Sequence, residues 1–190
     1  MFFKIKSYFR FLIKSTNQHG VHSPFVYNLV TKCFYDSKKK DAYPRIKLIL
    51  KNNTVDINFK NAKLINRLIP YLDYKSGLIP EKPSNNIAEI LTLNNSISIS
   101  NSETNNKKYD FIYLNINKLQ ENPEYLETLF SRVHNDSLLL LQAIHSSKEH
   151  QLFWKKLQDH YKVKVTIDTF DLGFIFFRKE QEKEHFTIRV

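Results

Sequence analysis

Residues 2–14, FFKIKSYFRFLIK, place Phe2, Ile5, Phe9 and Leu12 on one side of a helix and Lys4, Ser7, Arg10 and Lys14 away from it. That is the 3.6-residue period of a basic amphipathic helix. Such a helix either packs its apolar face on its own domain, lies on a membrane surface or enters a partner's groove. Ser23 before Pro24 is a good N-cap and N1 pair, so a helix is predicted over about 24–35. Two further helices are predicted at 43–51 and 61–71. Residues 73–86, DYKSGLIPEKPSNN, hold two prolines and a glycine with little periodicity and read as a loop. Residues 87–91 and 97–100 read as short strands, and 101–108 as a polar turn.

From residue 109 the pattern sharpens. The runs YDFIYLN (109–115) and SLLLLQA (137–143) are continuously apolar, as strands buried on both faces are. Between them, 123–134 forms an amphipathic helix with Tyr125, Leu126, Leu129, Phe130 and Val133 inward. A second helix over 147–160 carries Leu152, Phe153 and Leu157. Residues 163–170 and 172–178 are two strands joined around 171–173, the spacing of an antiparallel hairpin. This order predicts an α/β protein: a truncated Rossmann-like sheet over 73–190 that ends in an antiparallel hairpin. An N-terminal helical region, 1–72, precedes it within a single compact domain.

Composition narrows the function. A chain of 190 residues, 42% hydrophobic and 14% aromatic, is a folded domain and not a disordered segment. No apolar run reaches the ~18–20 residues of a membrane span, and cations interrupt the N-terminal stretch where a signal peptide would be apolar. The expected location is the cytoplasm. Cys33 is the sole cysteine, which removes an intrachain disulfide and any multi-cysteine metal site. Only three glycines occur, Gly20, Gly77 and Gly173, and no two lie within ten residues of each other. A P-loop, a dinucleotide fingerprint and a nucleophile elbow are thereby excluded. His19 and His22 flank Gly20, but no Asp, Glu or Cys close in sequence completes a metal site, so they are expected to hydrogen-bond the turn.

Twenty-nine Lys and Arg against nineteen Asp and Glu give a net charge of +10. This favours an anionic partner: nucleic acid, an acidic protein or a membrane surface. Candidate anion contacts are Lys60, Lys63 and Arg67 in one predicted helix, with Lys155 and Lys156 in another.

Five segments, NQHGVHSPFVYNLVTKCFYD (17–36), AKLINRL (62–68), YDFIYLN (109–115), HNDSLLLLQAIHSSKE (134–149) and TIDTFDLGFIFFRKEQEKEHFTIRV (166–190), cover about two fifths of the chain. In them the sequence resembles class I S-adenosylmethionine-dependent methyltransferases, within a bacterial subgroup related to the catechol O-methyltransferase type. The resemblance implies a cofactor site built on an acidic strand end and a glycine-rich turn. It also implies Mg²⁺ held by carboxylates at the ends of two later strands. At the cofactor positions, within NIAEILTLNN (86–95), stand Glu89, then Leu91 and Asn95 in place of glycines. At the metal positions stand Asn115, Gln142 and Ala143. Lys118 and His145 beside them mark a candidate residual cleft.

Twenty residues separate Glu89 from Asp110, where one βαβ unit alone takes roughly thirty. The expectation is a protein with no cofactor, no metal and no catalysis. It would act as a binding or regulatory protein on a protein or nucleic-acid partner, with peripheral contact through helix 2–14. The alternative is a residual S-adenosylmethionine-dependent methyltransferase acting on a small molecule, a protein or RNA.

Overall fold

The computed structural model describes residues 2–52, 57–80, 85–104 and 106–190. In chain order the first helices are α1 (Phe2–Lys14), α2 (Pro24–Leu29), α3 (Ala42–Asn52) and α4 (Phe59–Tyr71). Strand β1 (Ser76–Leu78), helix α5 (Asn85–Thr92) and strand β2 (Ser98–Ser100) follow. Then come β3 (Phe111–Asn115), α6 (Ile116–Glu121), α7 (Tyr125–Ser131), β4 (Leu138–Gln142) and α8 (Lys148–Asp159). Three strands close the chain: β5 (Val165–Asp168), β6 (Leu172–Phe176) and β7 (Glu184–Thr187). Contacts divide it into two compact units, Met1–Val21 with Thr104–Val190, and His22–Glu103.

In the first unit the strands run in the order β3-β4-β6-β5-β7. β3 and β4 are parallel, with Asn115 level with Gln142. β6 lies antiparallel between β4 and β5, the hairpin that the sequence predicts. The apolar positions of FIYLN and LLLLQ are fully or almost fully buried, which explains their unbroken apolar runs. β7, not anticipated from the sequence, pairs parallel with β5. Helix α8 starts at Ser147, whose side chain accepts from the His150 N–H, and buries Trp154 and Leu157. Gly173 of β6 allows this close packing, because a Cβ there would stand 2.7 Å from Cζ3 of Trp154.

The N-terminal helix belongs to this unit, but not by the face its periodicity suggests. Ser7 and Phe11 are its buried residues, whereas Phe2, Ile5 and Phe9 of the apolar stripe are exposed. Phe11 and Tyr8 pack edge-on against Phe170, with ring centroids 5.5 and 4.9 Å away. Beyond the helix the main chain of Thr16 takes a hydrogen bond from Arg189 and gives one to Thr187. Specific ring and polar contacts fix the helix, so its hydrophobic stripe does not.

The second unit corrects the expectation for 87–91. That segment is helical, as part of α5, with Ile87, Ile90 and Leu91 buried at helical spacing. The strand of this region lies earlier, inside the segment read as a loop: β1, SGL, pairs in parallel with β2, and α5 is the crossover between them. Helix α4 buries Leu64, Ile65, Leu68 and Ile69, and its Asn66 amide donates to the carbonyls of Ile90 and Leu93. Helix α2 ends in a π-turn over Val30–Phe34. The buried Arg67 guanidinium donates to the carbonyls of Cys33 and Phe34 at that turn, at 2.6 and 2.7 Å. Burial pushes the Cys33 thiol up to about 12, against a smaller opposing pull from Arg67, so this cysteine stays protonated.

Candidate functional site

In open α/β sheets ligands bind at the carboxyl ends of the parallel strands, where the metal positions implied by the resemblance stand. Asn115 ends β3 and is the N-cap of α6, its side-chain oxygen accepting from the Asn117 N–H at 3.1 Å. Gln142 ends β4, and its Oε1 accepts from the Tyr113 hydroxyl at 2.6 Å. Ala143 brings no side-chain donor. A Mg²⁺ site needs carboxylate charge and oxygens free to face the ion, and this set does not fit one.

Ala143 has φ 67°, a left-handed backbone that Asp, Asn or Gly takes more readily than Ala. Its N–H donates to Asp171 and its carbonyl accepts from His150 and Ser146, so neighbours hold the strained shape. Ala143→Gly is expected to stabilise the protein by about 0.5–1 kcal/mol, read as a higher urea midpoint. An unchanged or lower midpoint contradicts the strain.

Two residues after Ala143, His145 enters a polar cluster. Its Nε2 lies 2.7 Å from Oδ2 of Asp168 at the end of β5. A carboxylate only accepts, which puts the ring proton on Nε2. Nδ1 then accepts, and it faces the Gln151 amide nitrogen of α8 at 2.7 Å and the Ser7 hydroxyl of α1 at 3.1 Å. Gln151 also donates to Ser7. Asp168 uses Oδ1 to accept from the Phe170 N–H at 2.8 Å. This bends Phe170 to φ 75° and lays its ring parallel to the His145 ring, centroids 5.0 Å apart.

The Asp–His–Ser connectivity is that of a hydrolytic triad, but Ser7 is only 3% exposed and its hydroxyl is committed to Gln151 and His145. The cluster therefore works as a lock, holding α1 to the ends of β4 and β5. A cavity of about 220 Å³ opens beside it, with Trp154 and Gln158 in its wall and Arg10, Lys14 and Lys155 around it. Ser7, Gln151 and Asp168 were not singled out from sequence. Ser7 and His145 lie 138 residues apart, and no local motif announces the pair.

The other sequence candidates are dispersed. Lys118 does not line the His145 cavity; its ammonium sits over the Tyr125 ring at 5.1 Å. Glu89 and Leu91 are on α5 and Asn95 follows it, so none stands at a strand end. Leu91 is buried, and Asn95 donates to the carbonyls of Asn66 and Leu91. Arg67 is internal, Lys63 lies over the rings of Tyr43 and Phe59, and Lys60, Lys155 and Lys156 are exposed. Among the described residues no group of three or more His, Cys, Asp or Glu is placed to hold a metal. No helix among them is long and apolar enough to cross a membrane.

No protein-family model and no curated protein matches the chain. Solved structures do. A protein from Staphylococcus aureus described as a candidate caffeoyl-CoA O-methyltransferase superposes with a TM-score of 0.55 at 12% identity, over 73% of this chain and 93% of its own. The SAH-bound methyltransferase PaMTH1 of Podospora anserina gives 0.54 at 9%, over 84% and 98%. A candidate O-methyltransferase from Klebsiella pneumoniae gives 0.51 at 8%, over 75% and 92%. With β6 set antiparallel between β4 and β5, these likenesses establish that the chain has the Rossmann-like α/β fold of these methyltransferase structures.

Proposed function

We propose that this chain is a methyltransferase-fold protein that no longer binds S-adenosylmethionine, and that it acts in the cytoplasm as a non-catalytic binding or regulatory protein. The observation that carries the reading is the use of the strand-end oxygens. Asn115 caps a helix and Gln142 takes the Tyr113 hydroxyl, so groups at the metal positions serve the fold. Ala143 keeps a backbone shape suited to Asp or Asn without the side chain. The segment after β1, residues 79–84, reads IPEKPS, with two prolines and no glycine. It lacks the residue type that lets a ligand approach the main chain closely. Between α5 and β3 there is one short strand, β2, among the described residues.

Of the candidate anion contacts, Arg67 is used internally and Lys63 lies over two rings, which leaves Lys60, Lys155 and Lys156 exposed to support a nucleic-acid partner. The face of α1 that the domain leaves uncovered is the stronger contact surface. The competing reading, a residual methyltransferase on a small molecule, protein or RNA, draws on the fold shared with SAH-bound PaMTH1.

Thermal unfolding separates the two. A ligand at a hundred times its Kd stabilises by about 2.7 kcal/mol, several degrees for a chain of this size. Millimolar S-adenosylhomocysteine with Mg²⁺ is expected to leave the midpoint unchanged. A rise of several degrees would sink the non-catalytic reading.

A further inference from the structure

Helix α1 turns its most apolar stripe to solvent. Phe2 is 90% exposed, Ile5 47%, Phe9 61% and Ile13 85%. At positions 2, 5, 9 and 13 they form one row along the helix, opposite Ser7 and Phe11, which the His145 cluster and Phe170 hold. A groove of about 470 Å³, lined by Lys4, Ile5, Tyr8, Phe9 and Phe170, continues this surface. Beside the row stand Lys6, Arg10 and Lys14, spaced four apart and so on one flank of the helix. The helix contains no acidic residue. A contiguous exposed apolar patch of this kind marks an interaction surface.

We infer that α1 docks the protein on an anionic lipid surface, with Phe2, Ile5, Phe9 and Ile13 among the upper acyl chains and Lys6, Arg10 and Lys14 at the phosphates. Thirteen residues make a helix about 20 Å long, too short to cross a hydrocarbon core of about 30 Å, so it lies in the headgroup plane. Charge chooses among occupants. A second copy would bring Lys4, Lys6, Arg10 and Lys14 against the same four cations, whereas anionic headgroups neutralise them. The lock through Ser7 keeps the apolar stripe outward before contact, so the surface is formed in advance. The inference goes beyond the non-catalytic reading and does not depend on it, since a methyltransferase could dock in the same way.

Vesicle flotation of the full chain tests it. Vesicles of phosphatidylcholine with about one third phosphatidylserine are expected to carry the protein upward, and pure phosphatidylcholine vesicles to leave it behind. Phe9→Ser with Ile13→Ser is expected to weaken binding at least about tenfold, and Lys6→Glu with Arg10→Glu by a similar factor. Both pairs are solvent-facing, and circular dichroism checks that each variant is folded. Wild-type protein that stays behind with anionic vesicles at low salt overturns the inference. So does a folded serine variant that floats as well as wild type. A dimer that the serine substitutions dissolve, or capture of an acidic protein without vesicle binding, assigns the stripe to another occupant and equally overturns it.

Discussion

Replacing Asp168 with alanine is expected to destabilise the protein by about 3 kcal/mol and to loosen helix α1. Asp168 accepts from His145 Nε2 and from the Phe170 N–H, and both donors are buried or nearly so. Each would lose its partner while largely buried, at about 1–3 kcal/mol apiece. The consequence travels to the N-terminus, because His145 and Phe170 are what Ser7, Tyr8 and Phe11 pack against. Asp168→Asn keeps an oxygen for one of the two donors and should cost about half as much. Urea midpoints measure the energy, and limited proteolysis within residues 2–14 reports the helix. An Asp168→Ala protein as stable as wild type, with an unchanged cleavage pattern, would show that the cluster does not hold α1.

Arg67→Met is expected to cost about 3–4 kcal/mol. The methionine fills much of the space of the arginine stem, but the carbonyls of Cys33 and Phe34, exposed by the π-turn at Val30–Phe34, lose a charged donor 2.6–2.7 Å away. Arg67 was a candidate anion contact on sequence grounds, and the two roles make opposite predictions. A surface contact would lose anion affinity with little change in stability. A fold-holding arginine loses stability first. Chemical denaturation of the variant decides, and a change within about 0.5 kcal/mol, the scale of an ordinary surface substitution, would return Arg67 to the surface.

Where a single face or a continuous apolar run decided the structure, the sequence was readable. β3, β4 and the β5–β6 hairpin, with α8 before it, lie where the apolar pattern puts them. Short apolar runs were not readable in this way. Ile87, Ile90 and Leu91 satisfy a helix, yet isoleucine-rich runs of five suit a strand equally well. β1 went unseen because three residues, one of them glycine, carry too little pattern. The orientation of α1 shows a different failure. Its periodicity predicts a helix correctly, but which face turns inward depends on Phe170 and His145, more than 130 residues away in sequence.

The candidate site was legible in part. Asn115, Gln142 and Ala143 stand at the ends of β3 and β4, as the resemblance implies, because those strands are unmistakable. Glu89, Leu91 and Asn95 do not stand on a strand; the strand of that region, β1, ends earlier, at Leu78. Of the lock of Ser7, His145, Gln151 and Asp168, the sequence marks His145 alone, since only the fold brings the other three residues to it.

A calorimetric titration of the chain with S-adenosylmethionine and S-adenosylhomocysteine, with and without Mg²⁺, tests most directly the proposal that it binds no cofactor. No heat of binding at millimolar ligand in any of the four titrations is the predicted result. A saturable isotherm with a micromolar Kd would contradict it and make this chain a working methyltransferase in search of its methyl acceptor.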